Sequence, residues 1–311
     1  METLYLVIPC YNEEEMLPIT AKALLKKVSE LINSRKIAAD SKVMFVDDGS
    51  KDSTWELIKR LHDFNSMFTG LKLSRNKGHQ NALLAGLMTA KNYADIIVSM
   101  DADLQDDINA IDGFLEKRAE GCDIVYGVRS SREKDTAFKR GTAQSYYKIL
   151  AKLGVDITYN HADYRLMSKR AVEGLAEFKE VNLFLRGLVP MIGYKSDIVT
   201  YVRAERQAGE SKYPLKKMIS FAMEGITSLS VKPITLITGL GAIVFLISVI
   251  VLICSLIAGN PGAVTMIMTS IWALGGLQLI AIGVIGEYIG KIYLETKARP
   301  KFIIENNLEE E

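Results

Sequence analysis

Short apolar runs alternate with helical patterns along the first 130 residues of the chain. The runs are rich in aliphatic and β-branched residues and predict five buried strands, Leu4–Ile8, Val43–Val46, Leu71–Leu73, Ile96–Met100 and Ile124–Tyr126. Between them, apolar residues recur at helical spacing in four segments, Glu13–Ser34, Ser53–Phe64, Gly78–Tyr93 and Asp107–Glu120. Such alternation predicts an α/β domain whose mostly parallel sheet carries helices on both faces.

The pattern changes towards the end of the chain, where one long stretch is entirely apolar or neutral. No charged residue lies between Lys232 and Glu287, and the turn residues Gly259–Gly262 divide this stretch into two arms, about 234–258 and 263–287. At a rise of about 1.5 Å per residue, each arm can cross a hydrocarbon core of about 30 Å. We therefore expect a transmembrane hairpin over residues 233–290. The alternative is a helical hairpin buried in a soluble core.

Basic residues flank both arms, whereas the loop between the arms has no charge. They are Lys212, Lys216, Lys217 and Lys232 before the first arm and Lys291, Lys297, Arg299 and Lys301 after the second. The positive-inside rule therefore predicts a multi-pass protein of the cell (inner or plasma) membrane, with the N-terminal domain and both termini in the cytoplasm.

The segment 214–232 mixes apolar residues with lysines at its start. This mixture predicts an interfacial amphipathic helix, and the alternative is a helix docked on the soluble domain. The expected division of the chain is a domain over 1–213, this helix, the hairpin and a cytoplasmic tail over 291–311.

Charge balance and cysteine content exclude several classes of function. The chain has 38 Lys and Arg against 37 Asp and Glu, so bulk positive charge offers no reason to expect a nucleic-acid partner. Its three cysteines lie far apart, which argues against a disulfide framework or a structural zinc site. Neither a GxGxxG after the first strand nor a GxxxxGK[ST] is present, which argues against a dinucleotide-binding fold and a P-loop enzyme.

Polar residues cluster where the predicted strands end. The clusters are Pro9–Glu13, Asp47–Asp52, Asn76–Asn81 and Asp101–Asp107. In parallel sheets, ligands bind beyond the carboxyl ends of the strands, so these clusters predict the position of a site.

The cluster after the fourth strand has the character of a metal site. Asp101, Asp103 and Gln105 alternate along an extended segment, so their oxygens can converge. Hard oxygen ligands suit Mg²⁺ or Mn²⁺, which can bridge to substrate phosphates and neutralise a departing diphosphate. The alternative is a solvated strand end with a helix cap.

Two further clusters can form a nucleotide pocket. Asp48 can accept an N–H of a nucleobase, while Gly49 permits a tight turn; the alternative is a turn followed by a helix cap. Tyr11 could lie against the base and Glu13 near a ribose hydroxyl.

Six motifs of the chain resemble motifs of the inverting GT-A glycosyltransferases of family 2, and they occur in the same order as in that family. The motifs are Pro9–Glu13, Asp47–Ser53, Asn76–Gly78, Asp101–Gln105, Asp163–Leu166 and Gly209–Tyr213. The chain is most similar to the dolichol-phosphate mannose synthase-like branch, and within it to bacterial polyprenyl-phosphate (bactoprenol) glycosyltransferases with two C-terminal transmembrane helices. The resemblance implies a Rossmann-like GT-A domain, a nucleotide-sugar donor, a divalent metal, a lipid-phosphate acceptor and a homo-oligomer, a tetramer.

The resemblance also implies roles for individual residues. The nucleotide-sugar pocket would comprise Pro9, Tyr11, Asn12, Glu13, Asp48, Lys77, Gly78, Asp101, Ala102 and Asp103, and the metal ligands would be Asp101, Asp103 and Gln105. The acceptor phosphate would meet Arg129, Arg165, Arg203, Arg206, Ser211 and Lys212. Catalysis would rest on Asp163, Asp103 and Arg206, with Asp163 acting as base or orienting group.

Two basic stretches fit an anionic acceptor on chemical grounds alone. They are Arg129–Arg140 and Arg203–Lys217, although either could be a solvated loop. The QxxRW motif of processive carbohydrate synthases is absent, since neither Trp55 nor Trp272 has that context. Synthesis of a polymer is therefore not expected.

The expected function is inverting transfer of one sugar, glucose or N-acetylglucosamine, from a UDP-sugar to undecaprenyl phosphate for modification of cell-envelope glycans. A GDP-mannose-dependent polyprenyl-phosphate mannose synthase and a non-catalytic nucleotide-sugar-binding membrane scaffold are the alternatives. Replacement of Asp101, Asp103 or Asp163 by alanine is expected to remove most activity while the protein stays folded.

Overall fold

The computed structural model describes residues 1–130, 161–181, 183–202, 243 and 263–310. The chain divides into two compact units. One comprises residues 1–147, 156–214 and 300–311, and the other comprises residues 148–155 and 215–299.

The first unit contains eight described strands and six described helices. The strands are β1 Leu4–Cys10, β2 Lys42–Asp47, β3 Phe68–Leu73, β4 Ile96–Ser99, β5 Ile124–Arg129, β6 His161–Ser168, β7 Ser196–Tyr201 and β8 Ile304–Asn307. The helices are α1 Leu17–Asn33, α2 Thr54–Phe64, α3 His79–Ala90, α4 Ala110–Ala119, α5 Lys169–Ala176 and α6 Leu185–Met191. All five predicted strands and all four predicted helices of the first 130 residues are therefore found, with small shifts at their ends.

The strands form one mainly parallel sheet in the order β7-β5-β6-β4-β1-β2-β3-β8. Its centre, β4-β1-β2-β3, is parallel throughout, and β5 pairs with β7 in parallel. Strand β6 runs antiparallel to both β4 and β5, and β8 runs antiparallel to β3. The predicted α/β class with a mostly parallel sheet is confirmed.

Two apolar layers cover the faces of this sheet. Every residue of β1 is buried, with Leu6 in the layer that includes α1, α2 and α4 and Val7 in the layer that includes α3, α5 and α6. Because central strands are covered on both faces, they form continuous apolar runs rather than alternating ones, which is the pattern seen in the sequence.

The C-terminal residues belong to this same sheet. The sequence predicts a tail over residues 291–311. In the structure, however, Leu71 of β3 pairs with Asn307 of β8, and Leu308 is 5% exposed within the core. The carboxylate of Glu309 accepts a hydrogen bond from the Tyr5 hydroxyl at 3.0 Å and pairs with Lys42 at 2.8 Å. Residues 300–310 are thus part of the folded domain.

The second unit contains one long described helix, α7 Ala263–Lys297, and the predicted second arm lies within it. The predicted amphipathic helix 214–232 and the predicted first arm 234–258 lie outside the described residues, apart from residue 243. Among the residues whose side chains are described, no helix is both long and apolar enough to cross a membrane.

Candidate active site at the strand ends

The predicted polar clusters meet at one edge of the sheet. The strands β1 to β4 all end there because they are parallel. Strand β6 begins there because it runs antiparallel to β4, with Arg165 opposite Ser99. The Ser99 hydroxyl donates a 2.6 Å hydrogen bond to the carbonyl of Asp163, which fixes the start of β6 beside the end of β4.

Asp163 lies at the centre of a cluster of cations. Its Oδ1 accepts a 2.6 Å bond from Arg165 Nη2, and Arg186 reaches it with Nε at 3.4 Å from Oδ1 and Nη2 at 3.0 Å from Oδ2. The side chain of Asp163 is only 11% exposed, and that of Arg165 only 2%. Arg165 therefore supports Asp163 from the buried side, while Arg186, which is 32% exposed, contacts it from the solvent side.

This environment keeps Asp163 ionised. Burial by itself would raise the pKa of Asp163, but the charges of Arg186, Arg165 and His79 outweigh burial and hold the pKa well below its usual range. A carboxylate stabilised so strongly in its charged form is a weak proton acceptor. Asp163 is thus better suited to orient cationic groups than to act as a general base.

His79 connects Asp163 with the predicted metal site. It is the first residue of α3, after Gly78, whose φ of +87° allows the sharp entry into the helix. Its Nε2 lies 3.5 Å from Asp101 Oδ1 and 3.8 Å from Asp163 Oδ2, and 44% of its side chain is exposed. The histidine therefore bridges the ends of β4 and β6 at the edge where substrates would enter.

Asp48 holds the loop that follows β3. Its two oxygens accept hydrogen bonds from the backbone N–H groups of Lys77 at 2.7 Å and Gly78 at 2.8 Å. Burial raises the pKa of Asp48, whereas these two bonds lower it, and the net shift is upward. The carboxylate predicted to meet a nucleobase thus also shapes the loop that carries Lys77 and Gly78.

The loops after β1 and β2 hold one another. The Asn12 N–H donates to Ser50 Oγ at 3.0 Å, and the Asn12 side-chain oxygen accepts from the Lys51 N–H at 2.8 Å. The Glu13 N–H donates to Thr54 Oγ1 at 2.9 Å, and Tyr11 is 41% exposed between these contacts. An aromatic ring held open to solvent beside two rigid loops is a suitable surface for a planar base.

The Asp101–Gln105 segment forms a compact acidic turn. Leu104 adopts a positive φ of +52°, and the Gln105 N–H donates to Asp103 Oδ1 at 3.1 Å. The Thr20 hydroxyl of α1 donates to the Ala102 carbonyl at 2.6 Å, which anchors the turn to the domain. Asp101 remains 40% exposed, so its oxygens are accessible from the cleft.

Comparison with known proteins identifies the family of the chain. The sequence profile described as glycosyl transferase family 2 matches residues 5–175, more than half of the chain. The protein belongs to glycosyl transferase family 2. The predicted family is therefore confirmed.

Relatives of this glycosyltransferase extend over almost its whole length. The uncharacterised glycosyltransferase YkoT of Bacillus subtilis is 55% identical over 310 residues, covering 98% of this chain and 92% of the relative. The bactoprenol glucosyl transferase of Shigella phage SfV is 41% identical over 307 residues, covering 97% of each chain. Among solved structures, glucosyl-3-phosphoglycerate synthase of Mycobacterium tuberculosis has a TM-score of 0.44 and 18% identity, covering 73% of this chain and 79% of that chain.

The donor atoms at the Asp101–Gln105 turn of this glycosyltransferase fit a hard divalent cation that also binds phosphate. In the described part of the chain, no group of three His, Cys, Asp or Glu side chains could hold a metal ion. Mg²⁺ is commonly held by only one or two carboxylates together with substrate phosphates, which is the set that Asp101 and Asp103 could supply. Buried Asp106 lies close by, and burial, followed by the charge of Asp101, raises its pKa.

The predicted acceptor residues of the glycosyltransferase are only partly described. Arg129 lies beside Asp106, with Nη2 3.6 Å from its Oδ1, and the guanidinium is mostly buried. Arg165 is the internal partner of Asp163. Arg203, Arg206, Ser211 and Lys212 lie outside the described residues.

Two residues of the site, His79 and Arg186, received no role from the sequence. His79 falls at the start of the predicted helix Gly78–Tyr93, which the structure confirms, and nothing in the sequence drew attention to Arg186. Arg186 follows Asp163 by more than twenty positions on a separate short helix, so no local spacing links the two. Only the packing of α6 against the start of β6 brings them together.

Proposed function

We propose that the protein is a membrane-anchored inverting glycosyltransferase that moves a single sugar from a UDP-sugar to undecaprenyl phosphate at the cytoplasmic face of the cell membrane. The product would be a polyprenyl-phosphate sugar used for modification of cell-envelope glycans.

The observation that carries this proposal is the pairing of the buried Asp163 carboxylate with two arginines, Arg165 and Arg186, beside the Asp101–Gln105 turn. Attack by a sugar hydroxyl needs a base to remove a proton, and Asp163 is a poor one because its arginines stabilise the carboxylate. A phosphate monoester is already largely ionised near neutral pH. The chemistry at Asp163 therefore favours a phosphate acceptor over a hydroxyl acceptor.

The reaction would be an in-line displacement at the anomeric carbon. The phosphate oxygen of the lipid forms the new bond from the face opposite the diphosphate, and the bond to the nucleotide diphosphate breaks with inversion. Tyr11, Glu13 and Asp48, with the loop at Lys77, would hold the nucleoside, and the cations around Asp163 would balance the charge of the acceptor.

Asp101 and Asp103, with Gln105 beside them, would hold Mg²⁺ or Mn²⁺. The bound cation would stabilise negative charge on the departing diphosphate. The side chains that could bind a cation in this segment offer oxygen atoms and no thiol. Such ligands favour these hard cations over zinc.

The identity of the donor is supported by relatives rather than by pocket chemistry. The similar protein of Shigella phage SfV is named a glucosyl transferase, which favours UDP-glucose over UDP-N-acetylglucosamine and over the GDP-mannose alternative. No residue described at the site distinguishes glucose from N-acetylglucosamine.

The membrane part of the proposal rests on the apolar arms and on the position of β8. The uncharged stretch between Lys232 and Glu287 is long enough for two crossings, and basic residues flank both sides of it. Pairing of β8 with β3 requires residues 304–307 to lie on the same side of a membrane as the N-terminal domain, which fits an even number of crossings. A homo-oligomer, a tetramer by resemblance, is proposed for the assembly.

The test is product formation from undecaprenyl phosphate by the full-length protein in detergent. Mg²⁺ or Mn²⁺ would be supplied with UDP-glucose, UDP-N-acetylglucosamine, UDP-galactose or GDP-mannose in parallel. We expect one UDP-sugar to yield a charged glycolipid, and we expect EDTA to abolish its formation until the metal is restored. Binding of nucleotide without transfer from any donor would contradict the proposal and favour a non-catalytic scaffold.

A further inference from the structure

Arg186 is a permanently charged residue of the site that both contacts Asp163 and is exposed to solvent. Its guanidinium contacts both oxygens of Asp163, at 3.4 Å through Nε and 3.0 Å through Nη2. The Arg186 side chain is 32% exposed, against 11% for Asp163 and 2% for Arg165. A ligand entering at this end of the site would therefore meet Arg186 before it met Asp163.

The backbone at Arg186 is held in place from a second element. The N–H of the preceding residue, Leu185, donates a 2.8 Å hydrogen bond to Gln80 Oε1 on α3. Gln80 follows His79, which itself lies 3.8 Å from Asp163 Oδ2. The guanidinium is thus fixed through its backbone by Gln80 and through its side chain by Asp163.

We propose that Arg186 binds the phosphate group of the lipid acceptor and that Asp163 is its positioning residue. This inference rests on the proposed function. Two guanidinium groups face the single carboxylate of Asp163, so this carboxylate balances only one of their two positive charges. The planar fork of a guanidinium matches phosphate oxygens better than an ammonium group does.

The order of the strands indicates that this phosphate belongs to the acceptor and not to the donor. The nucleoside loops follow β1 and β2, the Asp101–Gln105 turn follows β4, and Asp163 begins β6, the next strand along the sheet. Asp163, which Arg186 contacts, therefore lies beyond the Asp101–Gln105 turn as seen from the loops after β1 and β2. An inverting displacement requires the acceptor to approach from that side, opposite the departing diphosphate.

The test compares Arg186→Gln and Arg186→Lys in the full-length protein in detergent. Equilibrium binding of undecaprenyl phosphate would be measured first, followed by the KM values for undecaprenyl phosphate and for the active UDP-sugar. We expect Arg186→Gln to weaken acceptor binding and to raise the acceptor KM about tenfold or more, with the donor KM unchanged. Arg186→Lys keeps the positive charge but lacks the planar guanidinium. Its acceptor binding and its acceptor KM should therefore lie between those of the wild-type protein and those of Arg186→Gln.

A matched control is available in Arg170. Its guanidinium also pairs with both oxygens of a buried aspartate, Asp123, at the start of α5 and away from the strand ends. Arg170→Gln therefore removes the same kind of ion pair and should leave acceptor binding and both KM values unchanged. Thermal unfolding midpoints of all variants would report any general loss of stability.

Three results would overturn the inference. These are a rise in the donor KM in place of the acceptor KM, unchanged acceptor binding in Arg186→Gln, and an equal loss of acceptor binding in Arg170→Gln. A different result would contradict the proposed function alone. In that case the wild-type protein binds undecaprenyl phosphate, Arg186→Gln weakens this binding, and no sugar is transferred. No binding of undecaprenyl phosphate by the wild-type protein would contradict both.

Discussion

Asp163 pairs with two arginines, the buried Arg165 and the partly exposed Arg186. Replacement of Asp163 should therefore affect stability as well as activity. In Asp163→Asn the guanidinium of Arg165, which is 2% exposed, loses its countercharge inside the domain. Removing one partner of a buried ion pair costs about 3–5 kcal/mol. We therefore expect a clearly lower unfolding midpoint, measured by thermal denaturation in detergent. This differs from the expectation, drawn from the sequence, that removal of Asp163 leaves the fold intact.

Asp101→Asn is the comparison variant for this prediction, because Asp101 is 40% exposed. Its midpoint should stay close to that of the wild-type protein while activity is lost. Equal midpoints for the two variants would contradict a structural role of Asp163.

The same ion pairs predict a dependence of stability on pH. Because the pKa of Asp163 is lowered in the folded state, its contribution is present above the unfolded pKa of about 3.9 and is lost as the pH falls towards the folded value. The difference in unfolding free energy between wild-type protein and Asp163→Asn should therefore stay constant from pH 7 to about pH 5 and shrink as the pH falls below about 4. Asp47, Asp48 and Asp106, whose pKa values burial raises, are common to both proteins and cancel in the difference. A difference that does not shrink below about pH 4 would contradict the prediction.

Position 49 requires glycine for two reasons: the backbone of Arg75 and Asn76 lies very close to it, and its φ is positive. It has a φ of +65°, and an added Cβ would lie 2.6 Å from both the Arg75 carbonyl carbon and the Asn76 nitrogen. Gly49→Ala should thus displace the loop that Asp48 holds, with a loss of stability and a higher donor KM. Gly121 separates the two effects, because its φ is +86° but an added Cβ would meet only Lys195 Nζ, at 3.8 Å. Gly121→Ala should cost only the about 1–2 kcal/mol of a left-handed backbone and leave the donor KM unchanged.

At the scale of elements, β8 joins the last residues of the chain to the core. Leu308 is 5% exposed although it lies only three residues from the end of the printed sequence, whereas Ile303, just before β8, is 57% exposed. Leu308→Ala should therefore destabilise the domain by about 2–5 kcal/mol, and Ile303→Ala by much less. Denaturant-induced unfolding of the two variants measures the difference. Equal, small effects would show that β8 does not contribute to the stability of the domain.

At the same scale, the buried strands β1 to β5 were predictable, whereas β6, β7 and β8 were not predicted. The buried runs Val43–Val46 and Ile96–Met100 are continuous because both faces of the sheet are covered. Strand β8, with the sequence Ile-Glu-Asn-Asn, has neither alternation nor an apolar run. It forms a strand because β3 offers an open edge with which it can pair.

At the scale of the whole molecule, the pairing of β8 with β3 makes a prediction about topology. If residues 233–290 cross the membrane twice, a reporter on a linker after residue 311 must lie on the same side as the N-terminal domain. We expect a C-terminal green fluorescent protein to fluoresce and a C-terminal alkaline phosphatase to be inactive. Phosphatase inserted near Asn260, between the two arms, should be active. An active phosphatase at the C-terminus would contradict a hairpin with both ends in the cytoplasm.

The sequence by itself determined the α/β class, the central strands and the position of the polar residues Asp101–Gln105 after β4, because these depend on apolar runs and on polar residues a few positions apart. It predicted an extended segment at Asp101–Gln105, whereas the structure has a turn with a positive φ at Leu104. It also indicated that Asp163 belongs to the site, through a motif of adjacent residues. Tertiary structure alone decided that Arg165 is buried behind Asp163, that His79 and Arg186 contact it, and that residues 304–307 complete the sheet. Most of these groups lie on separate elements, and their contacts arise only when strands and helices pack. No local pattern records such contacts, since the burial and charge around each group depend on the whole fold.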